Sequence, residues 1–159
     1  RMDAILMRAA DNTERAEYLT FRLCGEEYAI DILDVREIRA AGAVTRIAQA
    51  PAHVRGVINL RGTIVPITDL RLAFGLPAAE READTVVIIL DLDGACIGVA
   101  VDAVVDVLAL AADDIRPPPQ FHAAINAAFI RGIAPMAGRM LIVADMAWLL
   151  APAPAAEAA

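Results

Sequence analysis

The chain has 159 residues, of which 58% are hydrophobic and 22% are charged, and its net charge at pH 7 is −7. All 14 basic residues are Arg, and the sequence contains neither Lys nor Ser. Nucleic-acid binding rests on clustered basic residues, which this acidic chain lacks, so nucleic acid is excluded as a partner. The absence of Ser and Lys also excludes serine triads, Schiff-base lysines and phosphate-binding loops.

The hydrophobic segments have the length of strands, and none reaches the ~18 consecutive apolar residues of a membrane helix, so no direct membrane insertion is expected. Residues 1–17 are polar and contain no apolar export signal. We therefore predict a flexible arm there and a cytoplasmic location for the chain. Residues 151–159 form an Ala/Pro tail that buries too little surface to order itself, so this tail is predicted to be disordered.

In chain order, the first predicted element is a hairpin. Aromatic and β-branched residues predict a strand from Tyr18 to Cys24, residues 25–27 predict a turn, and residues 28–32 predict the returning strand. A second hairpin is predicted from strands at 57–60 and 63–68, joined by the turn Arg61-Gly62.

A proline and a short helix follow in the same half of the chain. Pro66 cannot donate to a sheet ladder, so it predicts an edge position or a bulge. Asp69 is the predicted N-cap of a short helix at 70–74, and Gly75 closes this helix in the C′ position.

The second half of the chain repeats the order of the first. With an offset of 69, the strand at 29–32 falls on 98–101 and Glu37 falls on Asp106. With an offset of 76, three predicted turn and cap residues fall on identical residues: Gly56 on Gly132, Gly62 on Gly138, and Asp69 on Asp145. The difference of seven residues places an insertion in the proline-rich segment 116–120, which must be a loop.

Each repeat consists of two strands, an irregular segment, two more strands and a short helix. We therefore predict a mainly β fold of two SH3-like, five-stranded β-barrels in a pseudo-twofold arrangement, each with a short C-terminal helix. Barrels this small are expected to share a core. The domain would span 18–150, with the first barrel at about 18–76, its closing segments open to exchange, and the second at about 84–150.

The most distinctive motif covers residues 56–70, Gly-Val-Ile-Asn-Leu-Arg-Gly-Thr-Ile-Val-Pro-Ile-Thr-Asp-Leu. It combines a glycine, an Asn-Leu-Arg-Gly turn, an apolar strand with an internal proline, and a final Asp-Leu. In this motif, and in the segments 28–39, 44–47, 101–102 and 114–119, the chain resembles the CheW family of bacterial chemotaxis coupling proteins. The resemblance extends over residues 18–150.

The resemblance implies a non-catalytic adaptor that joins the cytoplasmic tips of chemoreceptors to the histidine kinase CheA, whose regulatory domain shares the fold. It also implies recruitment to receptor arrays at the inner face of the membrane or to cytoplasmic clusters, and rings formed with the kinase or with other copies of the chain. No cofactor is expected. Two alternatives remain open: a coupling module of a non-motility chemosensory pathway, and a small enzyme using the carboxylates of Asp102 and Asp106.

The family's receptor contact includes the arginine of the turn motif, which is Arg61 here. Spacing alone favours a solvated turn arginine, and it is the resemblance that favours the receptor contact. The acidic residue Glu37 is a further receptor-binding candidate, although its repeat partner Asp106 also suggests a structural cap. Three apolar groove candidates, for which core packing is the alternative, complete the set: Ile32, Val35 and Val86. The resemblance leaves the kinase-binding residues unassigned.

Other reactive residues are interpreted as structural. His53 and His122 have no second ligand at metal-binding spacing, so they are predicted to be surface residues. Cys24 and Cys96 lie far apart and are predicted to be small buried hydrophobes. The acidic pairs at 91 and 93 and at 113 and 114 lack the calcium-loop pattern, so no metal site is predicted.

Overall fold

The computed structural model describes residues 15–118 and 128–150. Within these residues the chain forms ten β-strands: β1 Arg15–Leu23, β2 Glu26–Asp31, β3 Val35–Ala40, β4 Val54–Leu60, β5 Thr63–Asp69, β6 Val86–Leu92, β7 Ala95–Val101, β8 Ala103–Ala111, β9 Ile130–Met136 and β10 Arg139–Ala144. The described helical segments are α1 Leu70–Ala73 and four 3₁₀ segments: Ile32–Asp34, Glu82–Asp84, Ala112–Asp114 and Met146–Leu150. The prediction of a mainly β fold is thus confirmed.

The first strand differs from its prediction at both ends. β1 begins at Arg15, so residues 15–17 do not belong to an arm but pair with residues 109–111 of β8. Cys24 lies beyond the end of β1, in a turn where its φ is +50°, and it is partly exposed. The rest of the predicted arm, the tail at 151–159, and residues 119–127 with His122 lie outside the described residues.

The strands form two five-stranded sheets. Sheet A has the order β8-β1-β2-β10-β9, and sheet B has the order β3-β6-β7-β5-β4. Each sheet takes strands from both halves of the chain, so the sheets cut across the segments 18–76 and 84–150. Because each sheet combines strands from the two halves of the chain, each contains one parallel pair of strands: β2 with β10 in sheet A, and β5 with β7 in sheet B.

The two sheets have the same internal register. In sheet B, Ile67 of β5 pairs with Gly98 of β7, and the repeat offsets carry this pair onto Val143 and Ala29 of sheet A, which also pair. The isolated bridges correspond less strictly: Thr45 pairs with Val57, and Ile133, the residue at the offset of 76 from Val57, pairs with Arg116, which lies 71 residues after Thr45. Because the offsets were read from sequence alone, this agreement shows that the repeat is structural.

These isolated bridges lie where each sheet could close on itself. The segment after β3 contacts β4, the opposite edge of sheet B, and the segment after β8 contacts β9, the opposite edge of sheet A. Among the described residues the backbone pairing across each seam is limited to one bridge. The observed architecture is therefore two five-stranded sheets, each with a single bridge at its seam.

The two faces of each sheet pack on different cores. Along β6, Val87 and Ile89 belong to a cluster confined to sheet B, whereas Ile88 and Leu90 belong to a cluster shared by both sheets. Strand residues point alternately to opposite faces, so a strand buried on both faces reads as a continuous apolar run. Five aromatic residues line the shared core: Phe21, Tyr28, Phe74, Phe129 and Trp148.

Pro66 does not lie on an edge strand, because β5 is between β4 and β7. Pairing with β7 begins only at Ile67, and on the other side Pro66 is opposite Val57. The amide and carbonyl of Val57 both bind Thr45 instead. Pro66 therefore lies at a position where no neighbouring strand requires its missing N–H.

Candidate functional site

The turn between β4 and β5 presents Arg61 at the surface. Arg61 and Gly62 have φ angles of +52° and +88°, and the Asn59 side chain accepts a hydrogen bond of 2.8 Å from the Gly62 amide. Two consecutive positive φ angles are typical of a two-residue hairpin turn, in which Asn or Gly usually precedes Gly. An arginine in this conformation is unfavourable for the backbone, which points to a role for its side chain.

The guanidinium of Arg61 lies over the edge of sheet B. Its Nη2 donates to Oε1 of Glu37 on β3 at 2.9 Å, and the Arg61 side chain is 68% exposed. The structure thus brings two of the predicted site residues together. Because the pair is exposed, it stabilises the fold by only about 0–1 kcal/mol. The remaining N–H groups of Arg61 have no hydrogen bond to any described residue.

Apolar residues lie on the same edge strand but on its other face, because Glu37 is opposite Ile89, whereas Val35 and Ile38 are opposite Leu90 and Ile88. Ile32, Val35 and Val86 are each partly buried against the shared core, so each combines core packing with exposed surface. Ile38, 46% exposed, pairs with Ile88 across β3 and β6, and directly opposed strand residues share a face. Ile38 therefore extends the apolar surface, and sequence reasoning missed it although it directly follows Glu37.

The rim of this surface is basic in an otherwise acidic chain. Arg36 and Arg39 are exposed on β3, on either side of Glu37 and Ile38. A cleft of about 250 Å³ opens along the seam of sheet B, with Arg39 and Asn59 among its lining residues. We name the edge of sheet B formed by Ile32, Val35, Glu37, Ile38, Arg61 and Val86 the β3 surface. The Glu37–Arg61 pair lies on one face of this edge and the apolar residues lie on the other. Its apolar centre and arginine rim suit a partner with apolar and acidic side chains.

Sheet A places different chemistry at the equivalent position. Asp106, the repeat partner of Glu37, accepts hydrogen bonds from Arg139 at 3.1 Å and from the buried Thr20 hydroxyl. Arg139 also donates to Glu27 at 2.6 Å. Hydrogen bonds from Arg139, then from Thr20, lower the pKa of Asp106, and those to Glu27 and Asp106 raise the pKa of Arg139.

The repeat explains why this network has no copy in sheet B. With the offset of 69, Thr20 and Glu27 correspond to Ile89 and Cys96, which cannot bind an arginine in the same way. The turn of β9 and β10 has Ala137 in place of Arg61. At this position sheet A therefore has a network of Arg139, Glu27, Asp106 and Thr20, whereas sheet B has the single pair of Glu37 with the exposed Arg61.

The structural residues of the turn motif lie beneath the site. Asp69 accepts a hydrogen bond from Leu72 N at the start of α1, and its carboxylate also binds Arg55 at 3.1 Å. Both side chains are at least 94% buried, and Arg55 donates in addition to Thr85 at 2.9 Å. Asp145, the repeat partner of Asp69, is exposed and accepts from Ala147 N at 3.0 Å.

The glycines of the repeat have two functions. Gly56 and Gly132 lie where the chain crosses closely, against Thr45 and Arg116 respectively, and a side chain at either position would collide with backbone atoms. Gly62 and Gly138 are turn residues with φ angles of +88° and +71°.

The remaining candidates do not form a second site. His53 is exposed, Asp91 accepts from the Gly94 amide in a turn, and both cysteines are partly exposed, not buried as predicted. Across residues 15–118 and 128–150, no group of three possible metal-ligating side chains is present. The same residues contain no helix long and apolar enough to span a membrane.

Comparison with known proteins agrees with these features. Residues 17–153 match the model of the CheW-like domain family. The chain is 44% identical over 147 residues to the chemotaxis protein CheW of Klebsiella aerogenes, covering 92% of this chain and 89% of that protein. It is 37% identical over 130 residues to the CheW of Rhizobium meliloti, covering 82% of this chain and 84% of that protein.

A solved structure gives the same result in three dimensions. The crystal structure of the scaffolding protein TtCheW from Thermoanaerobacter tengcongensis matches with a TM-score of 0.75 and 35% identity. The match covers 82% of this chain and 88% of that chain. The resemblance identified from the motif at 56–70 is therefore confirmed, and the chain belongs to the CheW-like family.

Proposed function

We propose that this chain is a non-catalytic adaptor that couples the cytoplasmic tips of chemoreceptors to the histidine kinase CheA. The observation that carries the proposal is the β3 surface, where one edge strand has an exposed arginine–glutamate pair on one face and partly buried apolar residues on the other. The equivalent turn of sheet A has Ala137 in place of the arginine. The names of its relatives, which describe chemotaxis and scaffolding proteins, support this role. The chain would work in the cytoplasm and be recruited to receptor arrays.

In this role the β3 surface would bind the helical tip of a receptor. Ile32, Val35 and Val86 would bury apolar side chains of the helix, as in other complexes where a helix lies in an apolar groove. Arg61 would hold the orientation, because its fork of N–H donors suits a carboxylate of the partner. Glu37 would keep the guanidinium positioned before the receptor arrives.

The kinase would bind elsewhere on the molecule. Loops at the ends of the two sheets would pair with the similar units of the kinase regulatory domain, and repeated contacts of this kind would close into rings. An enzymatic role receives no support from the carboxylates considered in the sequence. Asp102 and Asp106 bind different arginines, Arg71 and Arg139, in separate networks.

The test is a pull-down with a receptor tip and, separately, with the kinase regulatory domain. We expect Arg61→Glu to abolish receptor capture while thermal unfolding followed by circular dichroism stays nearly unchanged. Ala137→Glu is the matched control, because it places the same acid at the equivalent turn of sheet A and should leave receptor capture intact. Receptor capture by the Arg61→Glu chain would show that Arg61 is not the contact.

A further inference from the structure

One carboxylate ties the two sheets together. Asp102 lies between β7 of sheet B and β8 of sheet A, and its side chain is 22% exposed. Arg71 of α1 donates to both of its oxygens, at 2.7 and 2.6 Å, and the Cys24 amide donates to Oδ2 at 2.8 Å. Bidentate, charge-assisted bonds of this length are among the strongest in proteins.

The partners of Asp102 belong to different sheets. α1 directly follows β5 of sheet B, whereas Cys24 lies at the tip of the β1–β2 hairpin of sheet A. The Asp102 amide also donates to the Arg22 carbonyl of β1 at 3.0 Å. Arg71 further donates to the Pro77 carbonyl at 3.2 Å, which holds the following segment over the same place. We name the contacts of Asp102 with Arg71 and Cys24 the Asp102 latch.

The pseudo-twofold axis predicts a second latch, and the structure does not have it. The repeat offsets place Leu33 at the position of Asp102 and Ala147 at the position of Arg71. Leu33 is 85% exposed, and neither residue can form an ion pair. This unlatched junction leads from β2 to β3 and contains Ile32 and Val35 of the β3 surface.

The β3 surface depends on the relative orientation of the sheets. Its apolar residues pack against the shared core, to which both sheets contribute. A rotation of one sheet relative to the other would therefore change the floor of the surface. The described residues of the other junction, 31–35, have no bidentate ion pair of this kind, so the Asp102 latch is the fixed side of this arrangement.

We propose that Asp102 is a positioning residue: through Arg71 and the Cys24 amide it fixes the orientation of the two sheets in which the β3 surface binds its partner. This inference rests on the proposed function for the identity of that partner. It does not place Asp102 or Arg71 in contact with the receptor.

The test uses Asp102→Asn and Arg71→Gln in the full chain. Asn at position 102 keeps an oxygen for the Cys24 amide but loses the charged, bidentate bond to Arg71. Arg139→Gln is the matched control, because Arg139 also forms a 2.6 Å bond to a carboxylate and is 28% exposed, but its partners all lie in sheet A.

The first readout is the distance between the sheets. Pulsed electron paramagnetic resonance would measure the distance between two spin labels, one at Ile64→Cys in sheet B and one at Ala109→Cys in sheet A. The two native cysteines would be replaced by Cys24→Asn and Cys96→Ala. We expect a narrow distance distribution in the unaltered latch and in Arg139→Gln, and a broadened or shifted one in both latch variants. Distributions that stay unchanged in the latch variants would overturn the proposal.

The second readout is the dissociation constant for a receptor tip, measured where circular dichroism shows every variant to be folded. Both latch variants should weaken binding about tenfold, within the usual range of coupling between distant sites, and Arg139→Gln should not. If the latch variants and the control variant lose the same amount of binding affinity, the Asp102 latch contributes only to the general stability of the fold, which would contradict the inference. If the unaltered chain fails to bind, the proposed function fails, and the distance measurement alone decides on the latch.

Discussion

Sheets A and B share topology, register and a common core, yet they place their charged residues differently. In sheet A, Asp106 is held by Arg139 and Thr20, and these groups satisfy one another. In sheet B the equivalent acid, Glu37, has one side-chain partner among the described residues, Arg61, which is 68% exposed on the turn. The two repeats keep the glycines at the crossings and turns and differ in the charged residues of these networks.

The buried pair beneath sheet B gives the largest expected difference between the sheets. Arg55→Leu would leave Asp69 buried without its partner, which costs about 3–5 kcal/mol of unfolding free energy. Arg131→Leu changes the equivalent but exposed arginine of sheet A and should cost less than about 0.5 kcal/mol. Urea unfolding of the two variants measures both values. Equal losses of unfolding free energy in the two variants would show that the different burial of Arg55 and Arg131 has no effect on stability.

The crossing glycines give the next largest effect. Gly56 has a φ of +147° and faces only backbone atoms of Thr45 and Arg46, so neither strain nor contact can relax. We expect Gly56→Ala to cost about 2 kcal/mol or more. At Gly132 a Cβ would lie 2.5 Å from the Arg116 carbonyl oxygen and 2.6 Å from a methyl group of Ile115, which can move. Gly132→Ala should therefore cost less unfolding free energy than Gly56→Ala. Calorimetric melting of the two variants measures this order, and a larger cost for Gly132→Ala would contradict the prediction.

The surface arginines separate stability from binding. Arg139→Gln removes bonds to Glu27 and Asp106 and should cost about 1 kcal/mol, because these side chains are only partly shielded. Arg61→Gln should cost no more than about 0.5 kcal/mol and should weaken receptor binding. Chemical unfolding combined with titration of a receptor tip tests both. If Arg139→Gln loses receptor binding and Arg61→Gln does not, the receptor contact belongs to sheet A and not to sheet B.

Acid should act on sheet A through Asp106, and this is the smallest effect. The pKa of Asp106 is lowered from 3.8 by Arg139 and then by Thr20. A carboxyl with a lower pKa in the folded state contributes its full stability above the unfolded pKa and loses it as the pH falls through the folded pKa. Asp106→Asn should therefore destabilise the chain at pH 7, and the difference should shrink progressively as the pH falls below the unfolded pKa of about 4. A pH-independent difference between the two chains would exclude this origin.

Much of the fold could be predicted from sequence because the repeat offsets are visible in its glycines and aspartates. The pairs Ile67 with Gly98 and Val143 with Ala29 obey the same offsets that were derived from the residues. The assignment of strands to sheets was less accessible. The strands of this chain have similar apolar patterns, so the pattern of one strand does not predict which strand pairs with it. The exchange of strands between sheets depends on tertiary packing.

The site was predictable only in part. Arg61 and Glu37 were both named from the family resemblance, but no spacing rule predicts that β3 and the turn after β4 meet across the seam of sheet B. Ile38 was missed because an apolar strand residue is usually buried. The Asp102 latch was missed because its partners, Arg71 and Cys24, lie 31 and 78 residues away in sequence.

The central claim, that Arg61 binds the receptor and does not merely pair with Glu37, is tested most directly by exchanging the two charges. The double variant Arg61→Glu, Glu37→Arg can rebuild the intramolecular pair and should unfold at nearly the same urea concentration as the unaltered chain. Titration of a receptor tip into this variant should show no binding, because the basic group has left the turn. Binding with unaltered affinity would mean that the pair is structural and that the receptor contact lies elsewhere.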